Sequence, residues 1–149
     1  MTGVHAAVGA LVLVTCAVAG GWGAWCWWQW IASPRFWPLL RVAQIVTMVQ
    51  TALGLILLLT GHKPANLHVL YGVLPVVVFF FAEQLRIASA DQVLEARGLE
   101  SAQAVGELPE DEQRDVVLTI VRRETGVMAA AALVALALAL RAFQVAGGF

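Results

Sequence analysis

The chain reads as an all-α integral membrane protein, a four-helix bundle whose third and fourth helices extend into a cytoplasmic helical hairpin. Three observations predict this. The composition is 60% hydrophobic and 13% charged over 149 residues, whereas soluble domains hold about 45–50% apolar and about 25% charged residues. The charges are segregated: all ten acidic residues fall between Glu83 and Glu124, with five of the nine basic ones among them. Four stretches also reach the length of about 20 apolar residues that a helix needs to cross a bilayer. A soluble monomer is excluded by the shortage of surface charge, and disorder by the shortage of polar residues. A net charge of −1 leaves no basic field for nucleic acid.

The four spans are expected at residues 4–30, 39–60, 67–85 and 126–145, within one membrane domain covering residues 1–149. Backbone groups in lipid must be satisfied within the segment, so continuous apolar runs of this length are helices. Barrel strands would show alternating segments of about ten residues. The first span follows a leader without a basic residue and is much longer than a signal core, so it is expected to stay as an anchor. Its small residues (Ala6…Ala10, Ala17…Gly21, Gly20…Ala24) stand at the spacing that lets helices approach closely, as do Gly126…Ala130 and Ala131…Ala135…Ala139 of the fourth.

Span two carries a polar stripe, Gln44, Thr47, Thr51 and Gly54, with Arg41 one turn earlier and Gln50 nearby. Polar groups in hydrocarbon seek partners, so this face is expected to point inward or at another subunit. Span three contains Pro75, which removes one helical N–H and can kink the helix. No Asp, Glu or Lys lies at mid-depth in any span, which argues against a proton-coupled transporter or channel.

Orientation follows from basic residues, which favour the cytoplasmic side. Arg35, Arg41 and five arginines between spans three and four stand against Lys63 and Arg141. Both termini are therefore expected outside. All six tryptophans lie between Trp22 and Trp37, at the inner end, where indole favours the headgroup layer. Eight arginines against one lysine, with abundant Ala, Val and Gly, suggest a high-GC bacterial gene and hence a bacterial plasma membrane.

The cytoplasmic segment, about residues 86–125, reads as two helical arms. Residues 83–97 hold no proline or glycine and favour helix. Gly98 is a stop signal, and Pro109 with Glu110, Asp111 and Glu112 is a start signal. Val116, Val117, Ile120 and Val121 form a stripe expected to pack on Val93, Leu94 and Leu99. Arg97, Glu110 and Arg114 are the residues expected to meet a cytoplasmic partner. Glu83, Arg86, Arg122, Arg123 and Glu124 should share one depth at the inner boundary and pair across helices three and four.

The chemistry-bearing residues are the histidines, all expected at the outer side. His5 and His68 stand at similar depth on different helices, the arrangement a b-type haem requires. His68 with Tyr71 would suit a quinone carbonyl. His5, His62 and His68 together would offer three imidazoles to a metal such as copper or zinc. Local hydrogen bonding at the interface is the alternative to all three readings. Cys16 and Cys26 are about 15 Å apart along one helix, too far for a disulfide. No nucleophile motif, phosphate loop or carboxylate pair is present, so no independent catalytic activity is expected. The functional expectation is an accessory or structural subunit of a larger respiratory or photosynthetic membrane complex. Other membrane subunits or further copies of the chain would be its partners. The alternative is a redox anchor holding haem or quinone at the outer histidines, and the third reading is a small channel or transporter.

Overall fold

A computed structural model describes residues 2–147. These residues form five helices and no strand: α1 (Thr2–Trp28), α2 (Phe36–Leu59), α3 (Asn66–Ala96), α4 (Ala102–Val105) and α5 (Glu110–Val145). α1, α2, α3 and α5 are each long and apolar enough to cross a membrane. At about 1.5 Å per residue, even the 24 residues of α2 exceed the roughly 30 Å of a hydrocarbon core. The α1–α2 and α2–α3 connections are short, α3 and α5 are joined through α4, and consecutive long helices alternate in direction. α5 packs against α3 and α1, α1 also packs on α2, and the α2–α3 seam is the thinnest of these.

The core between these helices is built from small and medium side chains. Val12, Cys16 and Ala19 of α1 meet Phe36, Leu40 and Ala43 of α2, Phe79 and Ala82 of α3, and Met128, Ala132 and Ala135 of α5. The surface is the inverse of a soluble protein's. Leu59, Phe80, Leu85 and Val134 are among many large apolar side chains left exposed along all four helices. Unpartnered apolar surface of that extent calls for lipid or protein around it.

Close approach in α1 uses only part of the small-residue set that the spacing suggests: Gly20 of the Gly20…Ala24 pair is buried, and Gly23, which none of the expected pairs includes, is the most crowded. Ala6, Ala10, Ala17 and Gly21 face outward. The buried stripe is Val12, Cys16, Ala19, Gly20, Gly23 and Cys26. A Cβ on Gly23 would come within 2.4 Å of the Phe36 ring and 2.8 Å of Ala129, and one on Gly20 within 2.8 Å of Leu133. On α5, Ala131 and Ala135 of the small-residue stripe are buried, while Ala130 is exposed.

Beyond the apolar runs, α3 and α5 continue side by side. Val93, Val105 and Val116 are buried together, with Leu94, Leu99, Leu108 and Ile120 packed on them. Val117, read as part of this stripe, is half exposed, while Val105 of α4 takes a place the sequence did not suggest. α3 ends in a Schellman motif, in which Leu99 N–H donates to Leu94 C=O and Gly98 N–H to Glu95 C=O. Gly98 supplies the positive φ of 67° this requires. Asn66 opens α3 as its first residue and makes no cap; Ala65 occupies the cap position.

Candidate functional site

The two ends of the bundle carry different chemistry, and the histidine end draws on all four long helices. His5 stands in the first turns of α1, Gln50 on α2, His68 at the start of α3 and Ala142 near the end of α5. The rings of His5 and His68 are 6.1 Å apart between centroids and inclined by 66°. His68 Nδ1 lies 2.9 Å from the Ala142 carbonyl oxygen. A carbonyl only accepts, so Nδ1 carries the proton and Nε2 of neutral His68 keeps its lone pair. A backbone carbonyl that fixes the tautomer in this way is the support that ligating histidines ordinarily have.

His5 Nε2 lies 3.3 Å from the Gln50 amide nitrogen. His5 Nδ1 and Gln50 Oε1 are buried and have no hydrogen-bond partner. Turning the Gln50 amide over would exchange which atoms are orphaned without reducing their number, because each group has one more polar atom than it has partners here. Unsatisfied buried polar atoms cost about 1–3 kcal/mol each. Gly54 lets the imidazole lie close to α2, since a Cβ there would stand 3.2 Å from His5 Cε1. Tyr71 is half-buried one turn beyond His68. His62 is exposed in the α2–α3 loop. Among the described residues no three His, Cys, Asp or Glu side chains are grouped to hold a metal ion. The structure thus brings His5 and His68 together and leaves His62 apart from them.

The opposite end is a layer of arginine, carboxylate and tryptophan. Glu83 accepts from Arg41 and, at 2.9 Å, from the Gln44 amide, and Arg41 also donates to Gln44 Oε1. Arg86 Nε is 3.2 Å from Glu83 but off the line of a hydrogen bond, and its Nη1 is 3.8 Å from Glu124. Arg86 also stands over the Trp37 ring. Two positive and two negative side chains thus form a neutral network in which α2 joins α3 and α5. Arg122 and Arg123 stand outside it: among the described residues neither forms an ion pair. Arg122 packs on the Trp30 and Trp27 rings, at 3.4 and 5.1 Å, and its Nε–H donates to the Trp27 carbonyl at 3.2 Å. Of the residues expected to meet a partner, Arg97 pairs with Asp115, while Glu110 and Arg114 are exposed on α5.

Two contacts at the ends of the bundle were not apparent in the sequence. Gln50 was noted only beside the polar stripe of α2, yet its amide reaches His5. Arg41, placed one turn before the same stripe and read as a topological signal, is the closest cation to Glu83. The polar stripe of α2, beside which both residues stand, was the available signal. No protein-family model, no curated protein and no solved structure matches this chain.

Proposed function

We propose that the protein is a multi-pass subunit of a bacterial plasma-membrane redox complex, a small anchor that carries haem b between His5 and His68. The single observation behind this reading is the histidine pair, two imidazoles from different helices with His68 Nε2 left available by the Ala142 carbonyl. His5 and His68 would be the residues to hold the group, their ring centroids 6.1 Å apart and inclined by 66°. The orphaned polar atoms of His5 and Gln50 support a site that gains a partner on binding. Haem would supply one-electron chemistry there.

In this reading both termini lie outside and the paired ends of α3 and α5 project into the cytoplasm. Arg97, Glu110 and Arg114 then face a soluble partner. The basic residues support the orientation, and the exposed apolar faces of all four long helices support the bilayer around it.

The test is the absorption spectrum of protein purified in mild detergent from cells supplied with haem. A Soret band that disappears in both His5→Ala and His68→Ala is expected. Wild-type protein without one overturns the haem assignment. Deletion of residues 91–112 should abolish co-purification of a cytoplasmic partner, and unchanged recovery overturns the docking role.

A further inference from the structure

We propose that the Arg122 cleft at the tryptophan end is a binding site for the phosphate of an anionic phospholipid headgroup. The backbone at the end of α1 is unusual. Trp30 has φ of 58°, the one positive φ outside glycine among the described residues. It ends α1 as Gly98 ends α3, with Ile31 N–H returning to the Cys26 carbonyl. A side chain in this conformation costs about 1–2 kcal/mol relative to glycine. Strain of this kind persists where surrounding contacts require it and collects at ligand sites. Here the contact is the Arg122 guanidinium, stacked 3.4 Å from the Trp30 ring.

Arg122 is fixed for one purpose. Its Nε–H is spent on the Trp27 carbonyl and its guanidinium lies over the Trp30 and Trp27 rings, so the Nη groups remain as donors. No carboxylate meets them among the described residues, although Glu83 and Glu124 lie at the same end and serve Arg41 and Arg86 instead. Gly126 makes the arrangement possible, since a Cβ there would strike the Trp27 ring at 2.7 Å. Between these groups is a cleft of about 70 Å³, lined also by Ile31, Leu118, Val121 and Thr125. A single water needs about 10–15 Å³, so the cleft takes a phosphate-sized group. A planar guanidinium suits phosphate oxygens two at a time.

The depth of the cleft decides the source of that phosphate. Arg122 stands one turn before the apolar run of α5, among exposed indoles, where headgroups lie if the bundle crosses a bilayer. Basic pockets between helices at this level bind anionic lipids.

The test uses the full chain in nanodiscs of phosphatidylcholine with a minor fraction of phosphatidylglycerol, with retained lipid counted by native mass spectrometry. Wild type should retain phosphatidylglycerol selectively. R122Q should weaken that retention about tenfold or more, the loss of a charge-assisted pair. R122K, which keeps the charge but not the planar stack, should fall between. R141Q, the same charge change at the far end, should retain lipid as wild type does. Equal retention of both lipids, or retention unaffected in R122Q, overturns the proposal. Displacement of the lipid by millimolar inorganic phosphate reassigns the site to the free anion and overturns the lipid source. The readout is independent of any chromophore at the histidine end.

Discussion

The histidine end and the tryptophan end are built by the same four helices and solve the burial of polar groups in opposite ways. At the tryptophan end, Arg41, Gln44, Glu83, Arg86 and Glu124 interlock, and the one strongly held cation outside the network is covered by indole. Packing there is tight enough that α1 needs glycine at Gly23. At the histidine end no Asp or Glu pairs with either imidazole among the described residues, and two buried polar atoms stand without partners. The tryptophan end is a charge-paired clasp of the bundle, in which Arg86 Nε is the one buried polar atom without a hydrogen bond among the described residues and Arg122 stands apart from the ion pairs. The histidine end holds its polar groups without any ion pair, and His5 and Gln50 each keep one buried polar atom unpartnered.

The contrast can be broken most severely by crowding. Gly23→Leu should cost about 3 kcal/mol or more, because the rigid Phe36 ring and Ala129 leave no room. Gly3→Leu, where nothing lies within 4 Å, should be neutral. Thermal unfolding in detergent measures both, and equal behaviour of the two variants would contradict the packing described for α1.

A smaller effect is expected from the polar groups. Glu83→Leu strands Arg41 and Arg86 and should cost about 1–3 kcal/mol, softened because the cluster is partly exposed. Gln50→Leu removes one orphaned atom along with one weak contact, so ligand-free protein should change by less than about 1 kcal/mol. In haem-loaded protein the same variant should shift the Soret position or the redox potential, which a merely structural role would leave in place. If Gln50→Leu destabilises as much as Glu83→Leu, the histidine end is a second clasp.

The smallest effect belongs to the paired extensions of α3 and α5. Arg97 and Asp115 are well exposed, so a double-mutant cycle should return about 0.2–1 kcal/mol, falling with salt. Trp30→Gly relieves about 1–2 kcal/mol of backbone strain and forfeits a stacking contact of similar size. Its net effect on unfolding should be within about 1 kcal/mol. Loss of selective lipid retention in the same variant would separate the role of Trp30 in the cleft from its role in folding.

Much of the architecture was legible in the residues alone. Apolar runs of bilayer length, Gly98, and the Pro109-Glu110-Asp111-Glu112 start set the long helices close to where they lie, because helix formation and its ends are decided by neighbours in the chain. The polar stripe of α2 likewise announced an inward face, and Gln44 and Thr47 are buried. Depth was legible too, so His5 and His68 were expected at one level, as were Glu83, Arg86 and Glu124.

Rotation about each helix axis was not legible, and the chemistry depends on it. Several small-residue pairs of α1 looked equivalent, and only the contact with Phe36 and Ala129 selects Gly23 over Gly21. The choice of Arg41 for Glu83, Gln50 for His5, and tryptophan for Arg122 likewise follows from which faces meet. The sequence by itself determined how many long helices form and where along its helix each polar residue stands, since both depend on composition and rise per residue. Only tertiary structure decided which polar groups touch, because in an apolar surrounding that choice is made by the fit of neighbouring helices.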